Sequence, residues 1–329
     1  MATLPPYPTL RSSVAPASGR SSGLAFGTFS RLVGGLTMSL PTEALPMDLL
    51  EQVLSRLGLS DRPAPTLDGL QTLYAAWCRK VPFDNVRKLI HLHSHAPGPL
   101  PGDDPAEFLE AWLTYGTGGT CWAGNGALHA VLVSLGFDAT RGMGTMHAAP
   151  EAPPTHGTVL VICEETRYVV DASILHGAPL RLHESAPTGV AHPVWGVHCR
   201  KRDGTWYIRW RPLHQPEGLD CRLQYLHVSR ETFRERHEHS RAWSPFNYEV
   251  YARAIRGETM VGVAHGQRVA FDSTGGVSLT PLGRDDRLRV FVDELGMKEE
   301  IVHRLPMDTP TPPPPWSRTA QAAGLDHRG

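Results

Sequence analysis

The chain has 329 residues, with Lys+Arg 32 against Asp+Glu 33, a net charge of −1, and 41% hydrophobic residues. That length is too great for one small domain and predicts two or three packed units around a sizeable core. The balanced charge leaves no whole-protein field to hold nucleic acid or an anionic membrane, so neither is an expected partner. No run of 18 apolar residues occurs, which excludes a spanning helix from the reading.

The first 42 residues contain no acidic residue and three arginines, Arg11, Arg20 and Arg31, amid Ser, Pro and Gly. This composition packs no core and predicts a disordered N-terminal arm. Residues 46–57 place Leu49, Leu50, Val53 and Leu57 at helical spacing, and 67–80 do the same with Leu70, Leu73, Tyr74 and Trp77. A Pro/Gly-rich loop covers 94–105, a short helix follows at 108–115, and Gly116-Thr-Gly-Gly-Thr reads as a turn before Cys121. Leu128, Val131, Leu132 and Leu135 then form a stripe ended by Gly136.

From Phe137 the pattern changes to strands. Residues 158–163 and 167–172 read as a hairpin around Glu164-Glu165, with more strands at 194–197, 206–211 and 221–228. A charged helix at 229–243 leads to three short strands (247–255, 259–263, 267–273) and a helix at 288–295. A Pro-rich tail starts at Pro306 and is expected to be extended or disordered. The fold expected is therefore α+β: an N-terminal helical bundle (43–136), a central β-barrel (137–228), and a linker helix with a C-terminal α/β lid (229–305), followed by a tail (306–329).

The five cysteines, Cys78, Cys121, Cys163, Cys199 and Cys221, include no C-x-x-C pair. Odd and scattered, they argue against a zinc knuckle or disulfide framework and fit a reducing, cytoplasmic compartment. Cys121 differs from the rest because it follows a glycine turn and opens a helix, where the first amides and the macrodipole stabilise a thiolate. A thiol nucleophile needs a base, and the base needs an orienting group. His156 stands just before the first hairpin strand and Asp171 near the end of the return strand. With the turn centred on Glu164-Glu165, His156 falls opposite Ser173, and Asp171 lies two residues away on the same face, within side-chain reach. A slip of one residue would separate them. Alone, His156 reads as a surface histidine and Asp171 as a turn cap; together with Cys121 they read as a Cys-His-Asp set.

Weaker signals point elsewhere. His91, His93 and His95 would share one side of an extended segment, a candidate metal site, but 17 histidines make chance clusters common, and no metal is expected. His237 and His239 flank Glu238 on a charged helix and are expected to be solvated. Trp206 and Trp210 alternate along a strand and are expected in the core.

The run Thr117-Gly118-Gly119-Thr120-Cys121, then His156, then Val170-Asp171-Ala172-Ser173-Ile174 resembles the arylamine N-acetyltransferase family. That family carries Arg-Gly-Gly-x-Cys, a His before a strand, and Asp in a Val-Asp-x-Gly-Phe-like run. Val81-Pro82-Phe83-Asp84-Asn85 and Ser244-Pro245-Phe246-Asn247 are similar to further segments of it, so the resemblance covers about residues 45–300. It implies the same three-part fold with a cysteine-protease-like triad. It also implies an acyltransferase moving an acetyl or other acyl group from a CoA thioester to a small-molecule amine, by ping-pong through an acyl-cysteine. Acetyl-CoA or another acyl-CoA would be a co-substrate, with no permanently bound cofactor. Cys121, His156 and Asp171 would be catalytic, and Phe83, Ile174 and Ser244 would contact substrates. Thr117 and Ala123 stand where the family has Arg and Glu, while Asn125 is kept; the ionic pair has been lost as a pair, or the site retuned. Ser173-Ile174 replaces Gly-Phe, which removes an aromatic from the acceptor pocket. The alternatives are an amide synthase using a carrier-bound thioester, a transglutaminase- or papain-like cysteine hydrolase, and a non-catalytic relative.

Overall fold

The computed structural model describes residues 43–324 apart from 148–151, 214 and 216; the arm expected over 1–42 lies outside the described residues. Five helices come first: α1 (Met47–Leu57), α2 (Leu67–Lys80), α3 (Val86–His93), α4 (Pro105–Tyr115) and α5 (Cys121–Ser134), with a two-residue strand, β1 (Phe83–Asp84), between α2 and α3. Local chemistry sets their ends. Thr66 accepts the Gly69 N–H and starts α2, Asp104 with Pro105 starts α4, and α1 stops at Gly58, where φ is 83°. The α5 sequence CWAGNGALHAVLVS has no acidic residue and only His129 as a basic one, and it is buried from Cys121 to Leu132. A helix apolar on every side belongs in the middle of a protein, and α5 lies between α4, α6 and the barrel strands β2 and β3, whose limits follow.

Eight strands form the next unit: β2 (Asp138–Met146), β3 (His156–Cys163), β4 (Thr166–Val170), β5 (Leu180–Arg181), β6 (Thr188–Val190), β7 (Val197–Arg202), β8 (Thr205–Trp210) and β9 (Leu219–Val228). They pair in the order β5-β4-β3-β2-β9-β8-β7-β6. The edge strands β5 and β6 lie beside each other, so the sheet is a nearly closed barrel. Leu160, Val169, Ile174, Leu180, Val197, Trp206, Ile208 and Leu223 pack together in its core. The β3–β4 hairpin pairs Cys163 with Thr166 and Val159 with Val170. That is the register expected from a turn at Glu164-Glu165, and both glutamates adopt positive φ (49° and 61°) as a two-residue type I′ turn requires.

Helix α6 (Arg230–His239) and a 3-10 turn (Pro245–Asn247) lead to a second sheet of β10 (Ala252–Arg256), β11 (Thr259–Ala264), β12 (Gln267–Phe271) and β13 (Val277–Pro281), with β1 as its other edge. Helices α7 (Arg284–Arg289), α8 (Glu299–Val302) and α9 (Arg318–Ala322) follow, with a π-helical turn over Val290–Glu294. Val86 and Leu89 of α3 pack with Val261, Val263, Val290 and Phe291 over this sheet.

Several sequence expectations need correction. His91 and His93 lie on α3, so alternation splits them between helix faces instead of aligning them. Residues 194–196 form a turn: the Val194 N–H donates to His192 Nδ1 and Gly196 N–H to His192 O, so the strand expected at 194–197 begins only at Val197, as β7. The strand expected from Asn247 begins at Ala252, because Ser244 and Pro245 start a 3-10 turn first. β13 adds a strand to the three expected; its Val-Ser-Leu-Thr-Pro run alternates but is exposed throughout. His237 is 3% exposed rather than solvated, since its ring reaches Pro101 O at 3.2 Å. Trp206 is in the core as expected, while Trp210 is half-buried. In the Pro-rich tail, Thr309 N–H donates to Tyr248 O and the Trp316 ring meets Trp243 edge-on at 5.0 Å. No helix among the described residues is long and apolar enough to cross a membrane.

Candidate active site

The glycine turn before α5 is held from outside by the Pro-Phe-Asp-Asn run. Asp84 Oδ2 accepts the Gly118 N–H at 2.6 Å, the Asp84 N–H donates to Gly119 O at 3.3 Å, and Phe83 bridges to Gly119. Gly118 is obligatory here, because a Cβ would sit 1.7 Å from Pro82 O. Asn85 ties the same run to the second sheet. Its Nδ2 donates to Phe246 O and Glu249 O, and its Oδ1 accepts the Tyr251 N–H. Asp84 is fully buried, and burial pushes its carboxyl up to about 6 despite the amide hydrogen bonds it accepts. Thr117 and Ala123 are both buried and uncharged, with Ala123 against Gly102 and Gly119.

Cys121 is 7% exposed, and its thiol reaches Thr155 O at 3.8 Å. His156, the first residue of β3, places Nε2 2.7 Å from Asp171 Oδ2, where the ring N–H donates to the carboxylate. The other ring nitrogen is left free of Asp171, and Cys121 is among the groups that favour the protonated imidazole. Both His156 and Asp171 are buried, at 3% and 1% exposed. Burial alone would lower the His156 pKa, but the Asp171 charge and hydrogen bond, with a smaller contribution from Cys121, hold it well above the ordinary histidine range. Burial alone would raise Asp171, but the His156 charge and hydrogen bond, with the Ile174 N–H, hold it well below the usual carboxylate range.

A second set of side chains fixes this arrangement. Asp171 Oδ1 accepts Ser173 N–H (2.9 Å), Ser173 Oγ–H (2.8 Å) and Ile174 N–H (2.9 Å). Asn125 lies one turn after Cys121 on α5. It donates to Gly157 O at 2.7 Å, Cys121 O at 3.0 Å and Asp171 Oδ1 at 3.4 Å, and accepts the Ala172 N–H at 2.9 Å. The Tyr74 hydroxyl donates to Asp171 O and accepts the Asp171 and His176 N–H groups. Asn125 stands out in the sequence only as a position that the resembling family keeps; Tyr74, 97 residues from Asp171, carries no sequence signal for this role.

Of the other expected contact residues, Phe83 is half-buried and edge-on to Phe246 at 5.3 Å. Ser244 accepts the Phe246 N–H and so fixes the turn that presents that ring. The Ile174 side chain packs in the barrel core, and its backbone amide is what meets Asp171. The remaining cysteines are buried, which pushes Cys78 and Cys199 up to about 12 and Cys221 to about 11. Among the described residues no group of three or more His, Cys, Asp or Glu could hold a metal ion. A thiol, an imidazole and a buried carboxylate in series can activate the sulfur for attack on an acyl carbon and return a proton to a leaving group.

Residues 66–212 match the sequence model of a family described as N-acetyltransferase. An arylamine N-acetyltransferase of Mycolicibacterium smegmatis is 32% identical over 176 residues, which is 49% of this chain and 62% of that protein. The match therefore spans less than two thirds of that relative. Among solved structures, the arylamine N-acetyltransferase from Mycobacterium abscessus has a TM-score of 0.66 at 21% identity, covering 78% of this chain and 94% of that one. The Mycobacterium marinum enzyme in complex with CoA has a TM-score of 0.66 at 18% identity, covering 78% and 98%. At these identities the likeness to the solved structures is one of fold.

Proposed function

We propose that this chain, whose residues 66–212 match the N-acetyltransferase model, transfers an acyl group from a CoA thioester to an amine through an acyl-Cys121 intermediate. The observation that carries the reading is the series Cys121–His156–Asp171, closed by the 2.7 Å bond between His156 and Asp171. Cys121 Sγ attacks the thioester carbonyl while His156 holds the thiol proton, and CoA leaves as its thiol by taking that proton. The amine then attacks the acyl-cysteine, His156 accepts the ammonium proton, and Cys121 is released as amide forms. Asp171 keeps the imidazole oriented and its protonated form favoured. Thr120 supplies no side-chain cap, so first-turn N–H groups of α5 remain to hold the oxyanion of the tetrahedral intermediate.

The relatives' names support acetyl as the acyl group and an arylamine as acceptor; a CoA complex of the shared fold supports CoA as the carrier. Phe83, with Phe246 against it, forms the aromatic wall for the acceptor, and the turn capped by Ser244 carries that wall from the sheet that serves as the lid. The reading predicts parallel double-reciprocal lines when acetyl-CoA is varied at several fixed arylamine concentrations. Intersecting lines, which require both substrates bound at once, would refute the covalent route.

A further inference from the structure

Among the described residues every sheet edge is closed except one. The barrel edges β5 and β6 lie beside each other, and β1 is bridged on its free side by Gly119, whose carbonyl accepts the Asp84 N–H. Strand β13 ends the second sheet and pairs with β12 alone. All five of its residues are exposed, Val277 at 38% and Leu279 at 57%. Proteins blunt an open edge with charges, bulges or a covering element. From Gly275 to Pro281 no residue is charged, and the β12–β13 register runs without a shift from Gln267↔Pro281 to Phe271↔Val277.

The hydrogen bonds at the two ends of this ladder show which backbone groups are left over. The Asp272 N–H donates to Gly276 O and the Leu282 N–H to Gly266 O. Gly276 and Leu282 therefore turn toward β12, and by alternation so do Ser278 and Thr280. Val277 and Leu279 present both N–H and C=O outward. Beyond them Pro281 has no N–H, and the Gly275 N–H is taken by Asp272 O. The Val277 and Leu279 side chains share one face, in line with Phe271 and Val269 of the core.

A short uncharged strand with two such residues is complementary to itself. We propose that β13 is a dimerisation edge, pairing antiparallel with β13 of a second copy of this chain about a two-fold axis at Ser278. Val277 then faces Leu279 of the partner subunit, and Leu279 faces Val277 of the partner subunit. Each pair exchanges both its hydrogen bonds and sets apolar side chain against apolar side chain. This register uses every outward group of the two residues. Centring on Leu279 instead would set Val277 against a proline, and its C=O would lack a donor. The two second sheets become one continuous sheet, with no charge to oppose the contact. One strand pair is a small interface, so the dimer is expected to be weak, with a dissociation constant on the order of 10 μM.

Sedimentation velocity of the full chain from about 1 to about 100 μM spans that range. Wild type is expected to pass from the mass of one chain to the mass of two. Leu279→Lys puts two ammonium groups on diagonal positions across the axis, and Val277→Pro removes an outward N–H that the single chain does not use. Both variants are expected to keep the mass of one chain throughout. Leu279 is exposed in the single chain, so Leu279→Lys should keep the wild-type melting temperature at the lowest concentration and decides the matter even where Val277→Pro folds poorly. Wild type that stays at the mass of one chain, or a dimer that forms equally well in folded Leu279→Lys, would overturn the proposal.

Discussion

Asn125→Ala separates a site held by geometry from one merely lined by the right residue types. Asn125 is fully buried and joins three segments: the start of α5 through Cys121 O, the start of β3 through Gly157 O, and the end of β4 through the Ala172 N–H. Truncation leaves the Ala172 N–H and the Gly157 carbonyl buried with those bonds unmade. Each orphaned group costs about 1–3 kcal/mol, so the variant should lose roughly 3 kcal/mol of stability. The cavity left by the lost amide adds to this. Loss of the staple also frees Cys121 from the strands carrying His156 and Asp171, and a displacement of about 1 Å costs on the order of a hundredfold in rate. Urea unfolding measures the first effect, and acylation of Cys121 by acetyl-CoA, in buffer where the variant stays folded, measures the second. Asn125→Asp should be worse than Ala in both assays, because it sets a second carboxylate against Asp171. A loss under about 1 kcal/mol with an unchanged acylation rate would refute the idea that Asn125 couples the three segments.

Asp84 gives a pH test. Its carboxyl is pushed up to about 6 in the fold, against about 4 in an unfolded chain. The native state therefore keeps a proton that the unfolded state gives up, and this contribution to stability falls as pH rises from about 4 to 6. Asp84→Asn abolishes the effect, so its stability relative to wild type should rise by up to about 3 kcal/mol between pH 4 and pH 7; a constant difference in urea unfolding across that range would contradict the assignment. At the hairpin turn, Glu165→Gly relieves an exposed residue at φ 61°. It should raise the melting temperature, with a gain of about 1 kcal/mol, and leave acylation unchanged. A lower melting temperature would show that the side chain, not the turn, is what matters there.

The parts of this protein that were legible in its sequence are those governed by short-range pattern. The helical period of Leu49, Leu50, Val53 and Leu57 and the glycine turn from Gly116 mark elements directly. The Glu164-Glu165 turn set the hairpin register, and with it the meeting of His156 and Asp171. What stayed hidden depends on distant partners. Tyr74 reads as one more core aromatic on α2, yet its hydroxyl holds the Asp171 backbone. Asp84 and Asn85 could be matched to a motif, but their work, fixing Gly118 and the segment from Phe246 to Tyr251, appears only once the second sheet takes β1 as its edge. Lys88 resembles any charged residue of an amphipathic helix until α6 covers it. The exposed strand β13 alternates only over Val277 to Leu279 before Pro281, too short a period to mark a strand against the surrounding loop.

Intact mass after incubation with acetyl-CoA and no acceptor, on wild type and Cys121→Ala, tests the central claim most directly. One acetyl group on wild type, absent from the variant and discharged when an arylamine is added, is the predicted result. An unmodified wild type, with Cys121 no faster towards iodoacetamide at pH 6 than the four other buried cysteines, would contradict it.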